Sequence, residues 1–478
     1  MPIDILPDDV FLEIFNFCLR DSREATIYFF ERTPKWYALV HVCQRWRRII
    51  FASPRRLALY LNCTRRTPVR NNLSFWPATL PLIIDYPGPS SFHPHPNAHR
   101  PLWEGDDIVA ALEHPSRVHR IVIHEAGPLI SEVTTIMQKS FPALKHLDLE
   151  WDFEASQTAA PFSRGWPISG KLLGGSSPHL QYLRLKRISF PQLPMFLLSA
   201  PNLVALELKS ISENDYIPTE AIVRSLAALT KLETLSITFY KASPLDQNES
   251  RSDLATRTIL PALTNFRYRG YCEYLEDFLA QITTPLLDDL RIEYVPEEIE
   301  APQLSQFIDR TENFKLNPFR RAEVMFYSFG TTVQLNCSQE CRKVQLFLDF
   351  LDVEGLEEQV PYVTNALGQL VSTLENVVCL FSYGDDVDSK EMESIDWLPF
   401  FRIFQDVTTL KLCGSVAIFF VSALEEATDE MVAEVFPALN SLCVGEEVNQ
   451  ENDETVEPID RFLFLRQFSG CPIDFSYY

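Results

Sequence analysis

The sequence predicts a mixed α/β protein in which a short helical module precedes a long stack of parallel β-strands. Two observations lead to this fold class. The first residues carry apolar side chains at helical spacing on two faces, and from about residue 114 a Pro-x-Leu-x-x-Leu-x-Leu pattern recurs. We therefore predict a helical module over residues 1–60, a connecting segment with a Pro/His-rich loop over 61–113, and a solenoid of repeats over 114–478.

The opening segment contains a predicted helix that begins at about Pro7. Proline has its φ angle preset for a first helical turn, and the carboxylates of Asp8 and Asp9 are favourable at the positive end of the helix dipole. The apolar residues of this helix form two neighbouring stripes, because residues three or four apart share a face. One stripe holds Leu6, Val10, Ile14 and Phe17, and the other holds Phe11, Phe15 and Cys18.

A second helix is predicted to begin at Thr33-Pro34, where the threonine can cap the helix N-terminus. Apolar residues lie at helical spacing along it: Leu39, Val42, Trp46 and Ile49. Two short helices this apolar cannot cover each other, and a segment of about 50 residues is near the lower limit for an independent core. The uncovered surface implies a partner, or else a hairpin packed on the rest of the chain.

These helices resemble the F-box, a module that docks on the Skp adaptor of cullin-RING ubiquitin ligases. The resemblance rests on the opening Leu6-Pro7, on Ile14 at the centre of the first helix, and on residues 42–49, which are similar to the closing Val-Cys-basic-Trp signature of that family. The insert over residues 20–35 is longer than the usual link. The resemblance implies adaptor contacts at seven residues: Leu6, Pro7, Val10, Ile14, Val42, Cys43 and Trp46.

The recurring pattern extends over most of the chain after residue 114. Its first apolar anchors lie 23 to 36 residues apart. The matching segments are 142–149, 178–185, 201–208, 230–237, 261–268, 285–292, 406–412 and 437–444, with a looser copy at 115–123. The gap between the anchors at 287 and 377 has room for three more periods, and 321–326 and 343–348 are predicted strands within it.

This pattern resembles a leucine-rich repeat of long and irregular type. The resemblance implies a solenoid in which each unit gives one strand of a parallel sheet on the concave side, with helices and loops on the convex side. The segments 217–229 and 425–436 fit the helical return. The alternative is an ordinary α/β domain whose strands are unrelated to one another.

Charge and cysteine content limit the classes of function. The net charge of −23 disfavours nonspecific binding of nucleic acid and of anionic membranes. No secretory signal opens the chain, and no apolar run approaches the roughly 20 residues of a membrane-spanning helix. The 10 cysteines include no Cys-x-x-Cys pair, so we expect reduced thiols, no structural zinc, and a cytoplasmic or nuclear location.

No motif in the sequence predicts catalysis, a metal site or a cofactor. His93, His95 and His99 lie in a Pro-rich loop without the spacing or neighbouring ligands of a metal site. Residues 165–171 match most of a phosphate-binding loop, but Leu172 replaces the Ser or Thr that would hold magnesium. We predict a protein that acts by binding alone.

Outward residues of the repeat strands are predicted to form a substrate-binding surface. Side chains alternate along a strand, so the residues that flank the inward leucines point to the concave face. Across five consecutive units these positions hold six basic and three acidic residues. Arginine suits bidentate binding of carboxylate and phosphate groups. The hypothesis is that this face binds an acidic or phosphorylated segment. The candidate residues are Tyr182, Arg184, Lys186, Lys209, Arg267, Arg269 and Arg291.

Together the two resemblances imply a substrate receptor of a cullin-RING ubiquitin ligase. In this interpretation the N-terminal helices bind the Skp adaptor, and the repeats bind a protein substrate whose identity the sequence does not contain. The other interpretation is a repeat-built interaction scaffold whose helical hairpin only caps the solenoid, with no role in ubiquitin transfer.

Overall fold

The chain divides into two compact units, Met1–Asp215 and Tyr216–Tyr478, which are called the N-terminal and the C-terminal unit. Each unit is mixed α/β and is built on a mostly parallel sheet, so the predicted fold class is confirmed at that level. The computed structural model describes residues 5–24, 36–54, 56–57, 59–64, 69–86, 106–125, 128–151, 165–212, 215–240, 257–294, 302–327, 329–337, 344–351, 353, 355–368, 374, 376–381, 395–413, 415–426, 428, 435–445 and 456–477.

The N-terminal unit places helices before and between parallel strands. Its helices are α1 Asp8–Glu24, α2 Trp36–Val40, α3 Gln44–Ala52, α4 Val69–Phe75, α5 Asp106–Leu112, α6 Pro128–Ile136 and α7 Leu193–Leu197. Its strands are β1 Leu61–Thr64, β2 Leu82–Tyr86, β3 Val118–Glu125, β4 His146–Trp151, β5 Trp166–Pro167, β6 Tyr182–Lys186, β7 Ile188–Ser189 and β8 Ala205–Ile211. The main sheet runs β1-β2-β3-β4-β6-β8 with every pair parallel, while β5 and β7 pair separately.

The alternation predicted for the repeat strands is present in the sheet. In β6, Leu183 and Leu185 are buried on one face while Tyr182, Arg184 and Lys186 are half-buried on the other. The leucines of the apolar face are buried, as is expected where return segments cover one face of the sheet. The opposite face is called the open face of the unit.

The region over residues 61–113, predicted as a connection, contributes strands to the same sheet. β1 pairs in parallel with β2, and β2 pairs in parallel with β3. Leu57 and Leu59 before β1 are buried, as are Leu82 and Ile84 in β2. The Pro/His-rich loop, with His93, His95 and His99, lies outside the described residues.

The second predicted helix is two helices in the structure. Cys43 breaks it, because its extended backbone (φ −158°, ψ 168°) interrupts the helix and its Sγ accepts a hydrogen bond from the Trp46 backbone N–H at 3.4 Å. α2 therefore ends at Val40 and α3 restarts after this cap. Val42 is 58% exposed while Ile49 is buried, so the four apolar residues do not share one face. Thr33 and Pro34 lie outside the described residues.

The C-terminal unit repeats the alternation of strands and helices. Its helices are α8 Thr219–Leu226, α9 Cys272–Gln281, α10 Pro302–Arg310, α11 Glu312–Leu316, α12 Leu356–Gly368, α13 Leu398–Arg402, α14 Ser415–Glu426 and α15 Val456–Phe468. Its strands are β9 Thr234–Phe239, β10 Thr258–Ile259, β11 Asn265–Gly270, β12 Ile282–Thr283, β13 Asp289–Tyr294, β14 Arg321–Tyr327, β15 Gly330–Asn336, β16 Gln345–Leu351, β17 Asn376–Phe381, β18 Thr409–Cys413, β19 Ser441–Val444 and β20 Asp474–Tyr477. No helix among the described residues is long and apolar enough to cross a membrane.

The gap between anchors 287 and 377 does not hold three more regular periods. The strand order there is β13-β16-β15-β14-β17, and β15 is antiparallel to both of its neighbours. A connection of two residues separates Tyr327 from Gly330, which is far too short for the crossover that a parallel pair requires. Gly330 has φ 154° and lies against the Phe350 carbonyl, an approach that a side chain would block. The chain therefore turns back at this point.

Candidate interaction surfaces

Helix α1 presents its two apolar stripes differently. Phe11 and Phe15 are fully buried, and Leu12 and Leu19 are buried with them. The helix begins where the sequence predicts, since the Val10 and Phe11 backbone N–H groups donate to the Pro7 carbonyl at 3.1 and 3.2 Å. Of the predicted stripe Phe11, Phe15 and Cys18, the two phenylalanines are thus part of the core of the N-terminal unit, whereas Cys18 is exposed.

Trp46 of α3 is the main neighbour of this buried stripe. Its ring lies edge-on to the rings of Phe15 and Phe11, with centroids 4.9 and 5.7 Å apart. The Arg45 guanidinium lies 4.9 Å from the Phe11 ring centroid. Trp46, which the resemblance assigns to adaptor contact, is half-buried and is engaged in joining α3 to α1.

Arg45, in the first turn of α3, also joins α3 to the start of α1. It donates to the Leu6 carbonyl at 2.7 Å and to the Asp8 carboxylate at 2.7 Å. Cys43, two residues earlier, caps α3. These bonds hold the two halves of the predicted motif, Leu6-Pro7 and the segment that begins at Val42, against each other.

The other stripe of α1 is left uncovered among the described residues. Val10 is 40% exposed, Ile14 37% and Phe17 75%, and they lie at i, i+4 and i+7 on one helix face. Val42 in the neighbouring turn is 58% exposed. We call these four residues the apolar patch. An apolar helix face that the protein's own chain leaves exposed is typical of a docking surface.

The seven residues predicted to contact an adaptor divide between this patch and its support. Val10, Ile14 and Val42 are in the patch, and Pro7 is exposed beside it. Leu6 is half-buried, Cys43 is exposed and acts as a cap, and Trp46 packs inward. Phe17 was placed on the stripe but not among the contacts, although it is the most exposed of these side chains.

The open face of the N-terminal unit carries a network of charges. Arg184 on β6 donates to both carboxylate oxygens of Asp148 at 3.0 and 3.2 Å and to Glu150 at 3.3 Å. Lys186 contacts Glu150 at 2.6 Å, and Lys209 contacts Glu207 at 2.6 Å. The Tyr182 hydroxyl donates to Glu207 at 2.9 Å. Every basic residue predicted for substrate contact in this unit is therefore paired with a carboxylate.

The titration of this network follows from burial and from its partners. Burial alone would raise the pKa of Asp148, but the adjacent His124 and Arg184 outweigh it and lower that pKa. Burial raises the pKa of Asp85 on β2 to about 6, although Arg120 and His124 oppose the shift. Burial and then Arg120 lower the pKa of His146, which stacks on Tyr182, to about 4. Asp85 is thus the carboxylate whose charge the fold disfavours.

In the C-terminal unit the open face is likewise the one opposite the buried side chains of the strands. Its charges are arranged differently. Arg267 on β11 lies directly beside Arg291 on β13, and Arg291 lies beside Phe347 on β16. Arg267 is exposed, and no carboxylate of the described residues lies within 4.0 Å of its guanidinium. Arg269 pairs with Glu293 at 3.5 Å, and Arg291 reaches Asp349 only at 3.9 Å. The Arg291 guanidinium lies 4.3 Å from the Phe347 ring centroid.

The structure brings the seven predicted substrate residues onto open faces of strands, but it divides them between the two units. The five repeat units counted for the predicted basic face begin at β6. They leave out Asp148 and Glu150 on β4, which neutralise Arg184 and Lys186. The repeat copy at 142–149 contains Asp148, and Glu150 follows it directly, so the signal is present in the sequence. Pairing in register, which sequence spacing does not show directly, makes them partners.

The other sequence candidates take no part in these surfaces. Gly165 of the incomplete phosphate-binding loop donates its backbone N–H to Asp215 at 3.1 Å and leads into the short strand β5. Within the described residues, no three His, Cys, Asp or Glu side chains come together as a metal site requires. No family model matches the chain, and no curated protein is similar enough to serve as a relative.

Proposed function

We propose that the chain is an F-box-type substrate receptor whose apolar patch docks on the Skp adaptor of a cullin-RING ubiquitin ligase. The repeats, in this proposal, form an irregular leucine-rich-repeat solenoid that binds a protein substrate. The observation that carries the proposal is the uncovered stripe of α1, because Val10, Ile14 and Phe17 lie in line on a helix whose neighbouring stripe already buries Phe11 and Phe15.

The supporting geometry is the joining of the two halves of the motif. Arg45 bonds to Leu6 and Asp8, and Trp46 packs on Phe11 and Phe15. These contacts hold α3 against α1, which carries most of the patch. Exposed apolar side chains on such a base lose little conformational entropy when a partner covers them. Binding of the adaptor is the use that the resemblance and this exposure favour together.

The test is a pull-down of the intact chain with purified Skp adaptor. Val10→Asp with Ile14→Asp should reduce capture at least about tenfold, because two charges would be buried at the contact. Both side chains are more than a third exposed in the free chain, so the thermal midpoint should change little. Circular dichroism checks that point.

Met195→Asp with Leu198→Asp is the matched control. Met195 and Leu198 lie in or next to α7 of the same unit, are 71% and 47% exposed, and are not part of the patch. This variant should capture the adaptor as wild type does. If wild type captures no adaptor, or if both variants capture it equally, the receptor function is wrong and the chain is better described as a repeat scaffold with a helical cap.

A further inference from the structure

Two arginines stand side by side at the centre of the open face of the C-terminal unit. Arg267 and Arg291 are direct partners in the parallel pair of β11 and β13, where neighbouring strands lie about 4.8 Å apart. Like charges directly opposite each other on one sheet face are destabilising. This arrangement therefore needs either internal neutralisation or an anion from outside.

Internal neutralisation is weak here because the nearby acids are engaged elsewhere. Asp289 accepts from the Asn265 amide at 3.3 Å, and Asp349 accepts from the Thr332 hydroxyl at 2.8 Å. Glu293 pairs with Arg269. Burial raises the pKa of Glu293 and Asp349 adds to this shift, while Arg269, Arg291 and Arg267 oppose it.

The strand register gives the two arginines no acid as a direct neighbour in their own row, where the first acid is Glu323 on β14, three strands away from Arg291. Across the sheet this row reads Ser236, Arg267, Arg291, Phe347 and Gln334. The Nε of Arg291 is buried and has no hydrogen-bond partner among the described residues. The Phe347 ring lies against one side of the Arg291 guanidinium, and the Arg291 side chain is 35% exposed, so a ligand can reach it from the open face.

We propose that Arg267 and Arg291 form an arginine pair that binds an acidic side chain of an extended peptide segment from a partner protein. Guanidinium groups bind carboxylate and phosphate with two parallel N–H donors, so two adjacent arginines can hold one anion between them. The chain's charge of −23 disfavours long polyanions such as nucleic acid, which favours a short acidic segment. The inference rests on the proposed receptor function in taking this segment to be part of the substrate.

The experiment selects short random peptides displayed on phage against the intact chain. Wild type should enrich peptides that contain Asp or Glu, and Arg267→Gln with Arg291→Gln should abolish that enrichment. Arg224→Gln with Arg320→Gln is the matched control, because both arginines are exposed in the same unit and lie outside the open face. That control should select the same acidic peptides as wild type.

The best peptide is then synthesised and its affinity is measured by fluorescence polarisation. Its affinity should fall at least about tenfold in the Arg267/Arg291 variant, and also when its Asp and Glu are replaced by Asn and Gln. Affinity should fall as the NaCl concentration rises. No enrichment of acidic peptides, or equal binding by the double variant, would overturn the inference.

These measurements can contradict the receptor function without contradicting the arginine pair, and the reverse. Adaptor capture depends on the apolar patch, so the Arg267/Arg291 variant should capture the Skp adaptor as wild type does. Loss of acidic selection with normal adaptor capture would overturn only the arginine pair. Acidic selection by a chain that captures no adaptor would leave the arginine pair standing and would overturn only the receptor function.

Discussion

The open faces of both units carry arginines, but only in the N-terminal unit do carboxylates lie directly beside them in the same row. In the N-terminal unit the row through β4, β6 and β8 alternates in sign, with Asp148, Arg184 and Glu207 side by side. In the C-terminal unit the corresponding central row places Arg267 next to Arg291 with no acid between them. The covered faces of both units are alike, because each is built from fully buried leucines such as Leu206 and Leu290.

Charge on a sheet face therefore has to be interpreted row by row, from the residues that lie side by side. The N-terminal row is satisfied by the protein's own carboxylates, so its basic residues are part of the structure. In the C-terminal row Arg267 has no acid beside it and Arg291 reaches Asp349 only at 3.9 Å, and we propose that these arginines bind a ligand. A count of basic residues along the sequence treats both rows as equal.

The largest expected effect concerns the covered faces, in which the two units are alike. Leu206→Ala and Leu290→Ala each remove a fully buried side chain, and each should lower the free energy of unfolding by about 2 to 5 kcal/mol. Urea denaturation of the intact chain measures both. A shift for one leucine that is several times the shift for the other would mean that the two covered faces are not equivalent.

The next effect separates the two open faces directly. Arg184→Gln leaves Asp148 and Glu150 without their main cation, and the Arg184 side chain is only 19% exposed. The loss of stability should be about 2 to 4 kcal/mol. Arg267→Gln, at the exposed end of the arginine pair, should change stability by less than about 0.5 kcal/mol or raise it. Equal losses in urea denaturation would contradict the contrast between the units.

The smallest expected effect concerns the pH dependence of the N-terminal row. The pKa of Asp85 is raised to about 6, so the folded state holds this proton more tightly than the unfolded state, and stability falls as the pH rises from the ordinary pKa of aspartate through about 6. Asp85→Asn should therefore be more stable than wild type by about 1 to 3 kcal/mol at pH 7. The difference should disappear below about pH 4, where Asp85 is protonated in both states.

The control for this measurement is Asp148→Asn, for which the sign is opposite. The pKa of Asp148 is lowered, so its charge stabilises the fold above the ordinary pKa of aspartate, and this stability is lost as the pH falls through the lowered value. The Asn variant should be less stable than wild type at pH 7 and approach it in acid. A pH series of urea midpoints in which both variants shift in the same direction would show that the environments are misassigned.

Local chemistry in the sequence determined the α/β class, the start of α1 and most of the repeat strands. The period-two spacing of apolar residues predicted β4, β6, β8, β9, β11 and β13 to within a few residues. Proline followed by two aspartates predicted the start of α1 because these residues act through their own backbone and the nearest helical turn. Such signals do not depend on what lies across the sheet.

Tertiary structure alone decided the features that depend on neighbours distant in sequence. The antiparallel strand β15 between β14 and β16 was not predicted, because its position follows from a tight turn at Gly330 and from which strands remain unpaired. The break at Cys43 depends on a side-chain cap that competes with continued helix. Which stripe of α1 is buried, and which arginines are neutralised, depend on partners brought together by packing and register. A single sequence displays residue types and spacings, whereas burial and ion pairing are properties of pairs of segments.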